Sequence, residues 1–309
     1  MRMNTIKSKL VTFILVIVGV AFIGLGLLNS WNSYNFTYNV NKKEGLAISQ
    51  NLSNYIEMFF KLKLDAVKAT AKGAIEEDAV TENDALVQKL KVGKEAAGSS
   101  IMYYGVAKTD HLIMSNEKHL TPEKNKFFPK TRKWYIDSVK NGKGGVTEPY
   151  VSSTNVQVVS VYNPVIRDNK MIGVIGANVE LKTIIKTVLK TKIGKTGYAY
   201  IVNKNGKILI HKDNELRNKK DEVFLKIKSS ENNKFTKIIT NGVENFISYS
   251  KVPGMSWYLV VIVPKEEIFE ELYSEIIEQI ILYIGILFIL AFILYFFINK
   301  LLSSLGHFQ

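Results

Sequence analysis

Tyr198-Ala199-Tyr200-Ile201-Val202-Asn203-Lys204-Asn205-Gly206-Lys207-Ile208-Leu209-Ile210-His211 reads as a β-hairpin. Aromatic and β-branched residues fill the arms, and the four residues between them are turn formers ending in glycine. The same texture occurs earlier, where Ile101-Met102-Tyr103-Tyr104-Gly105-Val106-Ala107 and Leu112-Ile113-Met114 flank Lys108-Thr109-Asp110. More strands follow each hairpin. Residues 156–162 and 171–179 succeed the first, separated by the polar turn Arg167-Asp168-Asn169-Lys170. Residues 235–240, 245–251 and 257–263 succeed the second, and 181–190 reads as a short helix between the sets. One order of elements repeated in two antiparallel sets points to an α+β fold of two modules.

Upstream, residues 34–91 contain no proline, and Ile48, Leu52, Tyr55, Phe59, Leu62 and Ala66 recur in steps of four and three. That spacing is a helix seam, facing either a core or a second copy of the helix. A single long helix is expected. Downstream, Pro264 opens another helix, with Glu266, Glu267 and Glu270 near its positive N-terminal end.

Two apolar stretches lie outside these elements. Residues 10–28 and 280–298 carry no Asp, Glu, Lys, Arg or His. At about 1.5 Å rise per residue each nearly spans a hydrocarbon core of roughly 30 Å. Arg2, Lys7 and Lys9 resemble the start of a signal peptide, but the apolar run is longer than an h-region and no Ala-x-Ala-like site follows. Both stretches are read as transmembrane helices, with N- and C-termini cytoplasmic and the middle outside. Trp31, Tyr34, Tyr273 and Tyr283 suit the outer interface.

Of 309 residues, 41 are Lys or Arg and 28 are Asp or Glu, a net charge of +13. Four basic residues (Arg2, Lys7, Lys9, Lys300) lie outside the apolar pair, leaving 37 against 28 between, or +9. These lysines are dispersed, so nucleic acid is not an expected partner. With no cysteine, disulfides, thiolate metal sites and cysteine nucleophiles are excluded. The four histidines, His111, His119, His211 and His307, stand far apart without His-x-x-x-His or His-Glu pairing, each a surface or turn residue. Gly194-Lys195-Thr196 lacks the glycine of a phosphate loop, since Leu189 holds that place. No catalytic residue, metal or cofactor is expected.

One segment has the character of a binding site: Arg132-Lys133-Trp134-Tyr135, Glu148-Pro149-Tyr150 and Gly176-Ala177-Asn178. A guanidinium grips a carboxylate through two parallel hydrogen bonds, and Trp and Tyr supply rigid walls with a polar tip. Core aromatics beside a surface arginine would read the same way.

Arg132-x-Trp134-Tyr135, Val146-Thr147-Glu148-Pro149-Tyr150 and Gly173-Val174-Ile175-Gly176-Ala177-Asn178-Val179 resemble the distal half of the double Cache sensor domain of bacterial methyl-accepting chemotaxis receptors. The stretch from Gly194 through the opening hairpin, and Trp257-Tyr258-Leu259-Val260-Val261-Ile262-Val263-Pro264, are similar to its membrane-proximal half. The resemblance covers about residues 34–268. It implies a long N-terminal helix and two stacked antiparallel-sheet, PAS-like modules, flanked by the two transmembrane helices. The implied divisions are a cytoplasmic N-terminus (1–9), first span (10–28), stalk and long helix (29–95), distal module (96–185) and proximal module (186–268). A connecting helix (269–279), second span (280–298) and a truncated HAMP-like linker (299–309) complete the chain.

The resemblance further implies a two-pass cell-membrane receptor, a homodimer, whose ligand is a small carboxylate, first of all an amino acid. Cytoplasmic signalling partners would be reached through an output region absent here. The alternatives are the sensor half of a histidine kinase or diguanylate cyclase, or a membrane-anchored structural protein without ligand. In the amino-acid-binding branch the arginine and tryptophan hold the carboxylate, while tyrosines and an aspartate hold the ammonium. Arg132, Trp134, Tyr135 and Tyr150 match. The aspartate is Asn178 here, a tyrosine is Phe127, and Ser152 stands where aspartate is common. Glu180, on the same strand face as Asn178, is the one nearby replacement for the missing charge. The carboxylate half of the site is intact and the amine half altered.

Overall fold

The computed structural model describes residues 2–76, 81–188, 193–228, 231, 233–240 and 242–305. Residues 306–309, including His307 and the end of the expected linker, lie outside these. The chain forms two compact units, Met1–Glu44 with Pro264–Gln309, and Gly45–Val263.

Two long helices make the first unit: the start of α1 (Arg2–Glu76) and α7 (Lys265–Leu305). Both are long and apolar enough to cross a membrane, and their most apolar stretches are not buried in the protein. Phe22 stacks on Tyr283 and Tyr34 on Phe269, each at 4.7 Å between ring centres. Asn29 Nδ2 donates to Gln279 Oε1 across the pair at 3.3 Å.

The second unit carries two antiparallel sheets. In chain order its elements are α2 (Asp84–Ala97), β1 (Ile101–Val106), β2 (Leu112–Met114), β3 (His119–Leu120), α3 (Pro122–Asn125) and α4 (Lys133–Asn141). Then come β4 (Gly145–Val146), β5 (Tyr150–Val151), β6 (Gln157–Arg167), β7 (Lys170–Glu180) and α5 (Leu181–Val188). The second set is β8 (Tyr198–Asn203), β9 (Ile208–Ile210), α6 (Glu222–Ile227), β10 (Asn233–Thr240), β11 (Val243–Lys251) and β12 (Trp257–Pro264). The sheets run β3-β2-β1-β7-β6-β4, with β5 also on β6, and β10-β11-β12-β8-β9. Each has its hairpin at one side and the later strands at the other, which is the repeat the sequence predicts.

Asp168 and Asn169 adopt φ of 50° and 58° between β6 and β7. That is the turn whose twist matches paired strands, and it sets their register. Strand β6 runs past the expected end at residue 162. Pro164 is tolerated because β4 pairs only with Val161 and Tyr162, leaving the proline's missing donor on an open edge.

The long helix differs from expectation in two ways. Among the described residues, 81–83 are not helical, and a separate α2 starts where Asn83 accepts from the Leu86 N–H at 3.0 Å. A cap residue opens a new helix where apolar spacing alone would continue the old one. Of the expected seam, Ile48, Leu52, Phe59 and Ala66 do pack against the core, but the most deeply buried stripe runs beside it. Ile56, Phe60, Val67, Ala71 and Ala74 are fully or nearly buried, whereas Tyr55 and Leu62 are 44% and 66% exposed. Lys63, on the buried stripe, donates to the Ala97 carbonyl at 2.7 Å and so closes the end of α2.

Strand alternation divides the first sheet's contacts. Met102, Tyr104, Val159, Val161, Ile175 and Ala177 join α1 and α2 in the main core, which extends to Leu259 and Val261 of the second sheet. Tyr103, Val174 and Tyr162 face the other way, onto Trp134 and Tyr135 of α4.

Candidate functional site

That outer face of the first sheet holds a small cavity of about 40 Å³. Its lining includes Tyr103, Leu112, Met114, Phe127, Arg132, Trp134, Tyr150, Ser152 and Asn178. Five of the six expected ligand-binding residues meet here. Tyr135 is buried behind the wall, edge-on to Trp134 at 5.6 Å. A wider groove of about 530 Å³ lies elsewhere, along α1 and the 253–256 loop, where Phe60, Leu64, Met255 and Trp257 alternate with charged residues such as Lys61, Asp65, Lys68 and Lys133.

Local sequence places each element. Pro129 starts a single 3-10 turn, Pro129–Thr131, and Arg132 ends it by donating its N–H to the Pro129 carbonyl at 2.9 Å. The same residue opens α4, so its side chain leaves from a fixed corner. The guanidinium stacks on the Phe127 ring, 4.5 Å from its centre, and makes no hydrogen bond or ion pair among the described residues. Trp134 lies against Gly105, where any Cβ would come within 2.6 Å of the indole. The glycine in β1 is therefore a seat for the tryptophan.

The floor is a hydroxyl network on one strand face. Ser160 pairs with Asn178 in register across β6 and β7. Tyr150 Oη lies 2.6 Å from Ser160 Oγ, and Ser160 Oγ donates to Asn178 Oδ1 at 2.7 Å. Tyr103 Oη donates to the same oxygen at 2.8 Å and lies 2.9 Å from Ser160 Oγ. Burial raises the pKa of both tyrosines, Tyr103 strongly, so both phenols keep their protons at neutral pH. Three hydroxyl hydrogens then serve the three shortest contacts, one each. Asn178 Oδ1 is saturated, and its amide nitrogen is left as a donor. Tyr150 Oη, donating downward to Ser160, keeps lone pairs free to accept.

Electrostatically the lining is one-sided. Arg132 is its only charged residue. Glu180, the replacement expected for the missing aspartate, does not line the cavity and pairs with Lys182 at 2.7 Å. Sequence reasoning did not find Tyr103 and Ser160. Their one local signal is a polar atom within an apolar strand, and only the β1-β7-β6 pairing unites them.

The histidines depart from expectation. His111 and His119 lie together with ring centres 5.0 Å apart, and Glu82 joins them. His211, expected as a surface or turn residue, stands at the turn after β9 but is buried, 3% exposed. Its Nδ1 accepts from the Asp213 N–H at 2.9 Å, and burial lowers its pKa.

Two like sheet modules on one helix, the first holding an unpaired arginine in an aromatic cavity, define a two-module α+β ligand-binding domain. The chain belongs to the Cache domain family (dCache_1), which it matches over residues 37–272. It is similar to the methyl-accepting chemotaxis protein McpG of Pseudomonas putida, 26% identical over 230 residues, covering 73% of this chain and 34% of that protein. It therefore spans about a third of this relative's length. Among solved structures it resembles the ligand-binding domain of the Pseudomonas fluorescens chemoreceptor CtaA in complex with L-isoleucine. The TM-score is 0.64 at 22% identity, over 77% of this chain and 96% of that one. The ligand-binding domain of the Pseudomonas aeruginosa amino acid chemoreceptor PctC in complex with GABA gives 0.57 at 24%, over 70% and 96%.

Proposed function

We propose that this chain is the sensing portion of a two-pass membrane chemoreceptor that binds a small carboxylate in the first module, an amino acid foremost. The observation that carries this reading is the Arg132 guanidinium, fixed at a helix corner in an aromatic cavity without a protein partner. A carboxylate is the natural complement of such a group. Trp134 and Phe127 wall it, the Ser152 hydroxyl sits at the rim, and Tyr135 holds Trp134 from behind. An ammonium finds an acceptor in the Tyr150 oxygen, and the relatives include proteins crystallised with amino acids.

A second reading, a carboxylate without an amine, is favoured by one feature. Asn178 offers the ligand a donor, and no carboxylate lines the cavity to balance an ammonium. At about 40 Å³ the cavity holds only a few waters, at roughly 10–15 Å³ each. Ligand entry therefore displaces part of its rim, and the exposed turn at Ser153 and Thr154 is the part with least to lose.

In this reading the middle of the chain is extracytoplasmic, both termini are cytoplasmic, and two copies pair along the exposed Tyr55, Met58 and Leu62 stripe of α1. Strand β12 passes into α7 without a connecting loop. A ligand that favours one position of α7 would shift it by ~1–2 Å, a known scale for such switches. Calorimetric titration of the full chain in detergent tests the ligand class, using the common amino acids, GABA and their amine-free analogues. Binding of carboxylates, lost when the carboxylate is amidated, is expected; binding indifferent to amidation overturns the reading.

A further inference from the structure

The pairing that shapes the cavity wall also gathers residues the cavity does not use. Strands β2 and β3 pair with Ile113 opposite His119 and Leu112 opposite Leu120. His111, immediately before β2, is thereby brought beside His119, the first residue of β3. Glu82 reaches them from just ahead of Asn83, the cap of α2. His111 Nδ1 lies 2.8 and 3.0 Å from the two Glu82 carboxylate oxygens. His119 Nε2 is 3.5 Å from Glu82 Oε2. One ligand atom from each residue falls within 4.8 Å of the other two.

We propose that Glu82, His111 and His119 form a binding site for a divalent transition ion, zinc(II) being the best match, on the β2–β3 hairpin of the first module. Two imidazoles and one carboxylate, with water in the fourth place, is a known zinc donor set. Imidazole nitrogen selects zinc, copper or nickel over magnesium and calcium, which take oxygen donors. Ligand atoms about 2.0–2.1 Å from a tetrahedral ion stand roughly 3.3 Å apart. The His119–Glu82 separation is already close to that. The His111–Glu82 pair must open by about half an ångström, which is small for side chains still 21% and 31% exposed.

One group behind the three residues is already hydrogen-bonded as an outer shell requires, and a second lies within a small side-chain movement of it. Thr109 Oγ1 donates to Glu82 Oε1 at 2.9 Å, and Glu123 Oε2 lies 3.9 Å from His111 Nε2, the ring nitrogen facing away from the site. Such partners fix the tautomer and orientation of a ligating histidine. An ion here joins the start of α2 to the hairpin whose Leu112 and Met114 wall the carboxylate cavity. It would stiffen that wall, whatever the cavity binds.

The test is a zinc(II) titration of the metal-stripped full chain, purified without a histidine tag, against a chromophoric chelator. Wild type should bind one zinc more tightly than every variant. His111→Ala, His119→Ala and Glu82→Gln should each weaken that binding at least tenfold, and magnesium(II) should not compete. Cobalt(II) in place of zinc should give wild type, and not His119→Ala, the visible absorption of a tetrahedral site. His119 is 40% exposed on its side chain, so its variant folds and separates loss of the site from loss of structure. Equal zinc affinity in wild type and the His111→Ala/His119→Ala double variant, or absence of the cobalt band from wild type, overturns the proposal.

Discussion

Replacing Asn178 with aspartate tests which kind of carboxylate the cavity holds. In the wild type, Oδ1 accepts from Ser160 and Tyr103 at 2.7 and 2.8 Å. Aspartate keeps both bonds on one oxygen and exchanges the amide donor for a charged acceptor. For an amino acid the ammonium, about 4 Å away, is attracted by about 4 kcal/mol at an effective dielectric near 20. That exceeds the roughly 3 kcal/mol repulsion of the ligand's own carboxylate and leaves about 1 kcal/mol, roughly fivefold tighter binding. For the deaminated analogue it sets like charges across the cavity. At a separation of about 6 Å and an effective dielectric near 20, the repulsion is about 3 kcal/mol, or roughly a hundredfold. Calorimetry of wild type and Asn178→Asp with matched pairs, such as alanine and propionate, reads both signs at once. Tightening of the amino acid with weakening of its analogue supports the amino-acid reading. Weakening of both refutes it and leaves the plain carboxylate. No change in either refutes the placement of Asn178 against the ligand.

Other outcomes follow from packing, burial and topology. Gly105→Ala drives a methyl to 2.6 Å from the Trp134 ring; it should destabilise by about 1–3 kcal/mol, and an unchanged melting temperature would contradict the seat assigned to that indole. His211 is held neutral, with its pKa below the usual imidazole value. The unfolded chain therefore binds its proton first, and stability present above about pH 6.5 is lost as pH falls through that range, by at most about 1.4 kcal/mol per unit. His211→Asn, which keeps an acceptor for the Asp213 N–H, should flatten that slope; an equal slope in denaturant melts at pH 5–7 would show that His211 does not set it. A reporter active only outside the membrane should work when fused after residue 150 and fail after Gln309, and the reverse pattern would sink the two-span topology.

The strands were legible because alternation and turn chemistry are local. Residues 167–170 announce a two-residue hairpin turn, and Asp168 and Asn169 take the positive φ it demands. Arg132, Trp134, Tyr150, Ser152 and Asn178 were legible through a family motif, and they line one cavity. The helix seam was legible in part: Ile48, Leu52, Phe59 and Ala66 pack on the core, but the deepest stripe lies one residue further on. Tyr55 and Leu62 are apolar like Ile56, Phe60 and Val67, and periodicity cannot tell which of two adjacent apolar stripes lies deepest in the core. Ser160 and Tyr103 were missed because their importance lies in strand register, which joins residues up to 75 positions apart. The same holds for Glu82, His111 and His119, which no spacing rule unites.

The central claim is that Arg132 anchors a carboxylate, and titration of wild type and Arg132→Ala full chains with the same amino acids and carboxylates tests it most directly. The guanidinium has only the Phe127 ring beneath it, so Arg132→Ala should melt near the wild-type temperature. Its affinity should fall by about 2–5 kcal/mol, the usual loss when one partner of a buried charge pair is removed. Wild-type affinity in the Arg132→Ala chain, or no carboxylate binding by wild type, contradicts the account.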